Sequence, residues 1–207
     1  MINNNIGFST NKKELYEEVA LQLRGMFEDC HHVLANLANA TALLNQAMED
    51  INWVGFYLLK SEPVLMNMYE VLNYGKRQTK SASNEFLKAE ADKADEKIED
   101  GVLVLGPFQG KPACVEIKVG KGVCGRAVAR DDVILVEDVH EFAGHIACDE
   151  ASNSEIVLPI HVNDMVVAVL DVDSPLIARF DEEDKEGLLE VVQVIEEMLL
   201  QSGNCLL

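Results

Sequence analysis

The chain has 207 residues, 48% of them hydrophobic, so one large, well-buried domain is favoured over two small ones. A formal net charge of −19 disfavours nucleic acid and anionic membranes as partners, because both repel an acidic surface. No apolar run approaches a membrane span, and MINNNIGFSTNKKELYEE lacks the cationic start and apolar stretch of a secretory leader, so a cytoplasmic protein is expected.

Residues 10–50 read as helical. Thr10 or Asn11 can cap the start, with Glu14 near the third helical position. Leu15, Val19, Leu23, Met26 and Phe27 recur at helical spacing. A second helix carries Val33, Leu34, Leu37, Ala38, Leu43, Leu44 and Ala47. INWVGFYLL (51–59) then turns β-branched and aromatic, as a strand does. Residues 61–100 are charged and polar and read as a surface insertion, part helix and part loop. Strands resume at 102–108 and 114–119. A short helix over 123–131 follows the glycine turn GKG, and 133–139 is another strand. Residues 140–153 are a connection without periodicity. Residues 155–162 and 165–173 form a hairpin around Asn163-Asp164. Asp181 caps a final helix with the apolar stripe Leu188, Leu189, Val192, Ile195, Leu199. Two helices, an antiparallel-looking sheet and a closing helix make an α+β layered domain.

The last strand, VVAVLDVDS (166–174), raises a chemical question. It is apolar on both faces until Asp171 and Asp173, which point the same way. A solvated strand end would explain them. So would a pocket that binds a cation, since burying unpaired carboxylates costs several kcal/mol each. A primary ammonium suits such a pair, being compact with three donors. Two carboxylates held together also keep one of them protonated near neutral pH. Counting back from the turn, with partners summing to about 327, places Glu155 opposite residue 172, beside both aspartates. Trp53 and Tyr57 share a strand face with Gly55 between them. They are either core or the walls of a glycine-floored slot for a methyl or thioether group.

Of the five cysteines, Cys30 and Cys205 read as structural or incidental. An odd count without a leader argues for reduced, free thiols rather than a disulfide framework. No CxxC and no His/Cys cluster has zinc-site spacing, so neither a metal nor another cofactor is expected. Cys124 falls in the first turn of its helix, where the dipole lowers a thiol pKa. Cys148 lies on the irregular connection near His145, and Cys114 flanks the third strand. Three thiols able to approach one acidic, apolar pocket suggest redox chemistry.

INWVGFY (51–57), LGPFQGKPAC (105–114), GKGVCG (120–125), GHIACDEASNSEIVLPI (144–160) and LDVDS (170–174) resemble the free methionine-R-sulfoxide reductases, which are stand-alone GAF-domain enzymes. The resemblance covers nearly the whole chain apart from residues 61–100, where family members use a short turn. It implies one GAF domain over 1–207, with an antiparallel sheet and N- and C-terminal helices packed on it. It implies redox cysteines at Cys114, Cys124 and Cys148, carboxylates at Glu155, Asp171 and Asp173, and aromatic walls at Trp53 and Tyr57. The implied substrate is free methionine-R-sulfoxide and the implied reductant is of the thioredoxin type, with homodimerisation left open. On this reading Cys148 attacks, Cys114 resolves, and Cys124 is an alternative or relay. The competing class is a ligand-binding GAF sensor without catalysis, which a chain with no room for an output domain disfavours.

Overall fold

A computed structural model describes residues 7–28, 32–61, 101–142 and 151–205, with no account of the side chains of 61 and 203–205. Helices α1 (Lys12–Phe27) and α2 (Val33–Ala47) precede strands β1 (Trp53–Ser61), β2 (Gly101–Gly110) and β3 (Glu116–Lys118). Helix α3 (Gly122–Arg130), strands β4 (Ile134–Val136), β5 (Ser154–Val162) and β6 (Met165–Ser174), and helix α4 (Glu182–Cys205) complete the described elements. The strands form one antiparallel sheet in the order β3-β2-β1-β6-β5-β4. The expected insertion, apart from its first residue, lies outside the described residues. Among those residues, no helix is long and apolar enough to cross a membrane.

Period-two alternation divides the sheet into two buried faces. Val54, Phe56, Ile156, Leu158, Leu170 and Val172 face α1, α2 and α4. Trp53, Tyr57, Val157 and Val169 face the other way and pack with Val123, Cys124, Ala127 and Val128 of α3. The helical stripes are rotated slightly from those expected. Tyr16 and Ala20 are buried while Met26 is exposed, and Leu34, Ala38 and Leu189 face outward. Strands β3 and β4 are shorter than the expected 114–119 and 133–139, and β1 starts at Trp53 rather than residue 51.

The local capping signals hold. The Asn11 side chain accepts from the Glu14 amide at 3.1 Å, and Asp181 Oδ1 accepts from the amides of Glu183 and Asp184 at 3.0 and 3.1 Å. Asn163 and Asp164 have φ of 53° and 61°, the left-handed pair that a type I′ hairpin turn requires. Fully buried Asp184 ties the helical layer together. It accepts from Tyr16 Oη at 2.8 Å and Lys12 Nζ at 2.6 Å on α1, and from Arg179 at 3.2 Å.

Candidate active site

The hairpin register differs from the simple count, and the difference makes the site. Next to the turn, His161 pairs with Val166 and Val162 with Met165, but a bulge between Ile160 and His161 shifts every later pair by one. Glu155 therefore faces Asp173 rather than Val172. A one-residue slip turns a side chain to the opposite face. Without the bulge, Glu155 would point into the helical layer. With it, Glu155 joins Asp171 and Asp173 on the α3 side.

Pairing extends this row across the sheet. Trp53 lies opposite Asp173, and Gly55 opposite Asp171. The Trp53 indole fills the space above Gly55, where a Cβ would fall 2.4 Å from its Cη2 atom. The expected glycine-floored slot is thus occupied by the ring of Trp53. Trp53 stacks between Tyr57 and Phe108, at centroid distances of 5.9 and 5.5 Å. Their polar tips hold the cleft rim: Trp53 Nε1 donates to the Lys111 carbonyl at 3.1 Å, and Tyr57 Oη to the Cys114 carbonyl at 3.0 Å. Cys114 itself is half-buried and follows Ala113, which lines the cleft.

Cys124 closes the cleft from α3. It is buried, and its thiol donates to Asp171 Oδ2 at 3.2 Å. Asp171 Oδ1 is buried without a hydrogen-bond partner among the described residues. Burial, then the charges of Asp171 and Asp173, push the Glu155 carboxyl well above the ordinary carboxylate range. Burial pushes Asp171 up to about 6, against the pull of its hydrogen bonds with Cys124 and Glu155. Burial, then the charges of Asp171 and Glu155, push the Cys124 thiol well above its usual value. The expected lowering of that pKa by the helix dipole is therefore overturned. Desolvation and three nearby acids outweigh the partial charge of one helix end.

The structure brings Trp53, Tyr57, Cys124, Glu155, Asp171 and Asp173 around one cleft. Cys148, His145 and Cys30 lie outside the described residues, and Cys205 ends α4 with its side chain outside them. Lining residues that escaped the sequence reading include Lys111 and Ser152, the latter accepting from Asn52 Nδ2 at 3.0 Å, and Phe108, which stacks on Trp53, escaped it as well. Phe108 had a signal in its position within GPF, but finding its partner needs the β1–β2 register.

The family model of the GAF domain matches residues 30–199. The chain is 43% identical to the free methionine-R-sulfoxide reductase of Escherichia coli, over 91% of each chain. It resembles the X-ray structure of free methionine-R-sulfoxide reductase from Neisseria meningitidis in complex with its substrate. That likeness has 33% identity and a TM-score of 0.72, and covers 98% of both chains. The substrate complex of fRMsr of Staphylococcus aureus is 39% identical with a TM-score of 0.66, covering 94% of this chain and 99% of that one.

Proposed function

Because the chain belongs to the free methionine-R-sulfoxide reductases, oxidoreductases built on a GAF domain, we propose that it reduces free methionine-R-sulfoxide by thiol chemistry at the Glu155–Asp171–Asp173 cleft. The observation that carries the proposal is the acidic row, buried Glu155 and Asp171 with half-buried Asp173, beside stacked aromatic rings. An orphaned, buried Asp171 oxygen and a neighbouring carboxylate suit an ammonium group. A free amino acid offers one, whereas a peptide-bound residue has none on its own α-nitrogen. The Trp53 and Tyr57 rings suit the methyl and sulfur end.

A sulfoxide sulfur is electrophilic, and thiolate attack is assisted when its oxygen is protonated as it departs. Glu155, whose burial among acids raises its pKa and favours the protonated form, or Asp173 beside it, supplies the proton. The enzyme thiol takes the oxygen and becomes a sulfenic acid, while the substrate leaves as the thioether. A second thiol condenses with the sulfenic acid, releasing water and forming a disulfide. A dithiol of the thioredoxin type then reduces that disulfide by exchange. Cys148 is the attacking residue and half-buried Cys114, next to the cleft lining, resolves. Cys124 remains a thiol that donates to Asp171.

The test is NADPH oxidation coupled through thioredoxin and thioredoxin reductase, with free R- and S-methionine sulfoxide compared. Turnover of the R form alone, abolished by Cys148→Ser, is expected. No turnover by a folded, fully reduced wild type would instead favour a ligand-binding sensor.

A further inference from the structure

We propose that Cys124, Glu155 and Asp171 also form a binding site for a thiophilic divalent cation such as Zn2+, whose occupancy blocks the cleft. One sulfur and one oxygen from each carboxylate lie within 4.8 Å of one another, and all three residues are buried. The Cys124 Sγ to Asp171 Oδ2 distance is 3.2 Å. Two such donors on a tetrahedral zinc, with Zn–S near 2.3 Å and Zn–O near 2.1 Å, stand about 3.6 Å apart. Small side-chain shifts therefore suffice. Asp171 is only 6% exposed, and its Oδ1 has no hydrogen-bond partner among the described residues.

The donor set selects the metal. A thiolate favours Zn2+ and its softer relatives over Mg2+ and Ca2+, which seek all-oxygen shells. Three protein donors leave the fourth tetrahedral position for water on the cleft side, the arrangement of an open site. On binding, the cation displaces the Cys124 thiol proton and any proton held between the two carboxylates, and these pass to solvent. The donors come from α3, β5 and β6, far apart in the chain, so no spacing motif announces them. Metal occupancy stands on these donors alone. Only its consequence rests on the reductase reading: the cation takes the place of the substrate ammonium and ties up Glu155.

The test titrates the fully reduced, full-length protein with Cd2+ alone and follows thiolate-to-metal charge-transfer absorption, then displaces Cd2+ with Zn2+. One equivalent is expected, retained in Cys114→Ser and Cys148→Ser and lost in Cys124→Ser. In Asp171→Asn, which keeps the side-chain volume, the affinity is expected to fall at least tenfold. An absorption band insensitive to Cys124→Ser, or an affinity unchanged by Asp171→Asn, overturns the site. Should Cys124→Ser fail to fold, Asp171→Asn decides alone. In Cys148→Ser, which cannot turn the substrate over, free methionine-R-sulfoxide is expected to weaken Cd2+ binding, and unchanged binding at saturating sulfoxide overturns the blocking role. An enzyme inactive without metal but retaining the Cys124-dependent band refutes the reductase reading and supports the metal site.

Discussion

Replacing Asp171 with asparagine should make the protein more stable and less active. Asp171 is 6% exposed, and burial raises its carboxyl from 3.8 to about 6. A carboxyl whose folded-state pKa is raised contributes stability below its unfolded value, and that contribution is lost as pH rises through the folded value. Above pH 7 the buried group is ionised in both states, and holding it ionised in the fold is the costly condition. A rise from 3.8 to about 6 spans roughly two pH units, each worth about 1.4 kcal/mol, so the native state carries a penalty of about 3 kcal/mol at pH 8. At pH 5 about half of this is present. The asparagine amide cannot ionise and escapes it. Urea unfolding followed by far-UV circular dichroism, for wild type and Asp171→Asn between pH 5 and 8, measures the difference. The stability advantage of the variant should grow with pH, while kcat/KM for free methionine-R-sulfoxide falls at least tenfold. An advantage that is constant across this range, or a variant less stable than wild type at pH 8, would refute the reasoning. Activity retained in a stabilised variant would separate the carboxylate from substrate binding.

Gly55→Ala should lower stability by about 1–3 kcal/mol, because the added methyl meets Trp53 at 2.4 Å and Phe108 at 2.5 Å. Its Trp53 fluorescence should also change if the indole is displaced from the stack. Gly187→Ala should be comparably destabilising, with a Cβ 2.0 Å from Tyr16 Cδ2, and its thermal midpoint should drop while the cleft chemistry survives. Asp184→Ala should cost about 3 kcal/mol or more by chemical denaturation, since it leaves the Lys12 and Arg179 charges and the Tyr16 hydroxyl without their shared acceptor. His161 is opposed by burial, but its hydrogen bonds with Asp131 and Glu196 raise its pKa above 6.5. Its stabilising contribution is therefore present at acidic pH and lost as pH rises through the raised value. The stability gap between wild type and His161→Gln should narrow between pH 6 and 9, and a gap that widens would contradict this.

The strands, the caps and the Asn163-Asp164 turn were legible because each depends on local periodicity or on one residue's backbone preference. The identities of the three acids were legible for the same reason: charges interrupt an apolar strand. The shared face of Asp171 and Asp173 follows from strand alternation, but Glu155's place on it does not, since counting from the turn cannot detect the bulge at Ile160 and His161. The Cys124 helix position also follows from local pattern. The direction of its pKa does not, because burial and the acids of β5 and β6 are tertiary facts. Phe108 is hidden because residues 61–100 separate β1 from β2, which conceals the Gly55–Phe108 pairing. The Asp184 network joins α1 to α4, elements at opposite ends of the chain, and depends on packing alone.

The stack of Tyr57, Trp53 and Phe108 has a further consequence. Trp53 is the sole tryptophan in the chain, and it is 2% exposed, stands in the row that carries Asp173, and donates to the segment that leads to Cys114. Intrinsic emission of the whole protein is therefore a signal from this one cleft. Occupancy beside the indole, and the passage of Cys114 between thiol and disulfide, should each alter its quenching. The protein carries its own optical reporter at the place where its chemistry is proposed, with no other indole to dilute the reading.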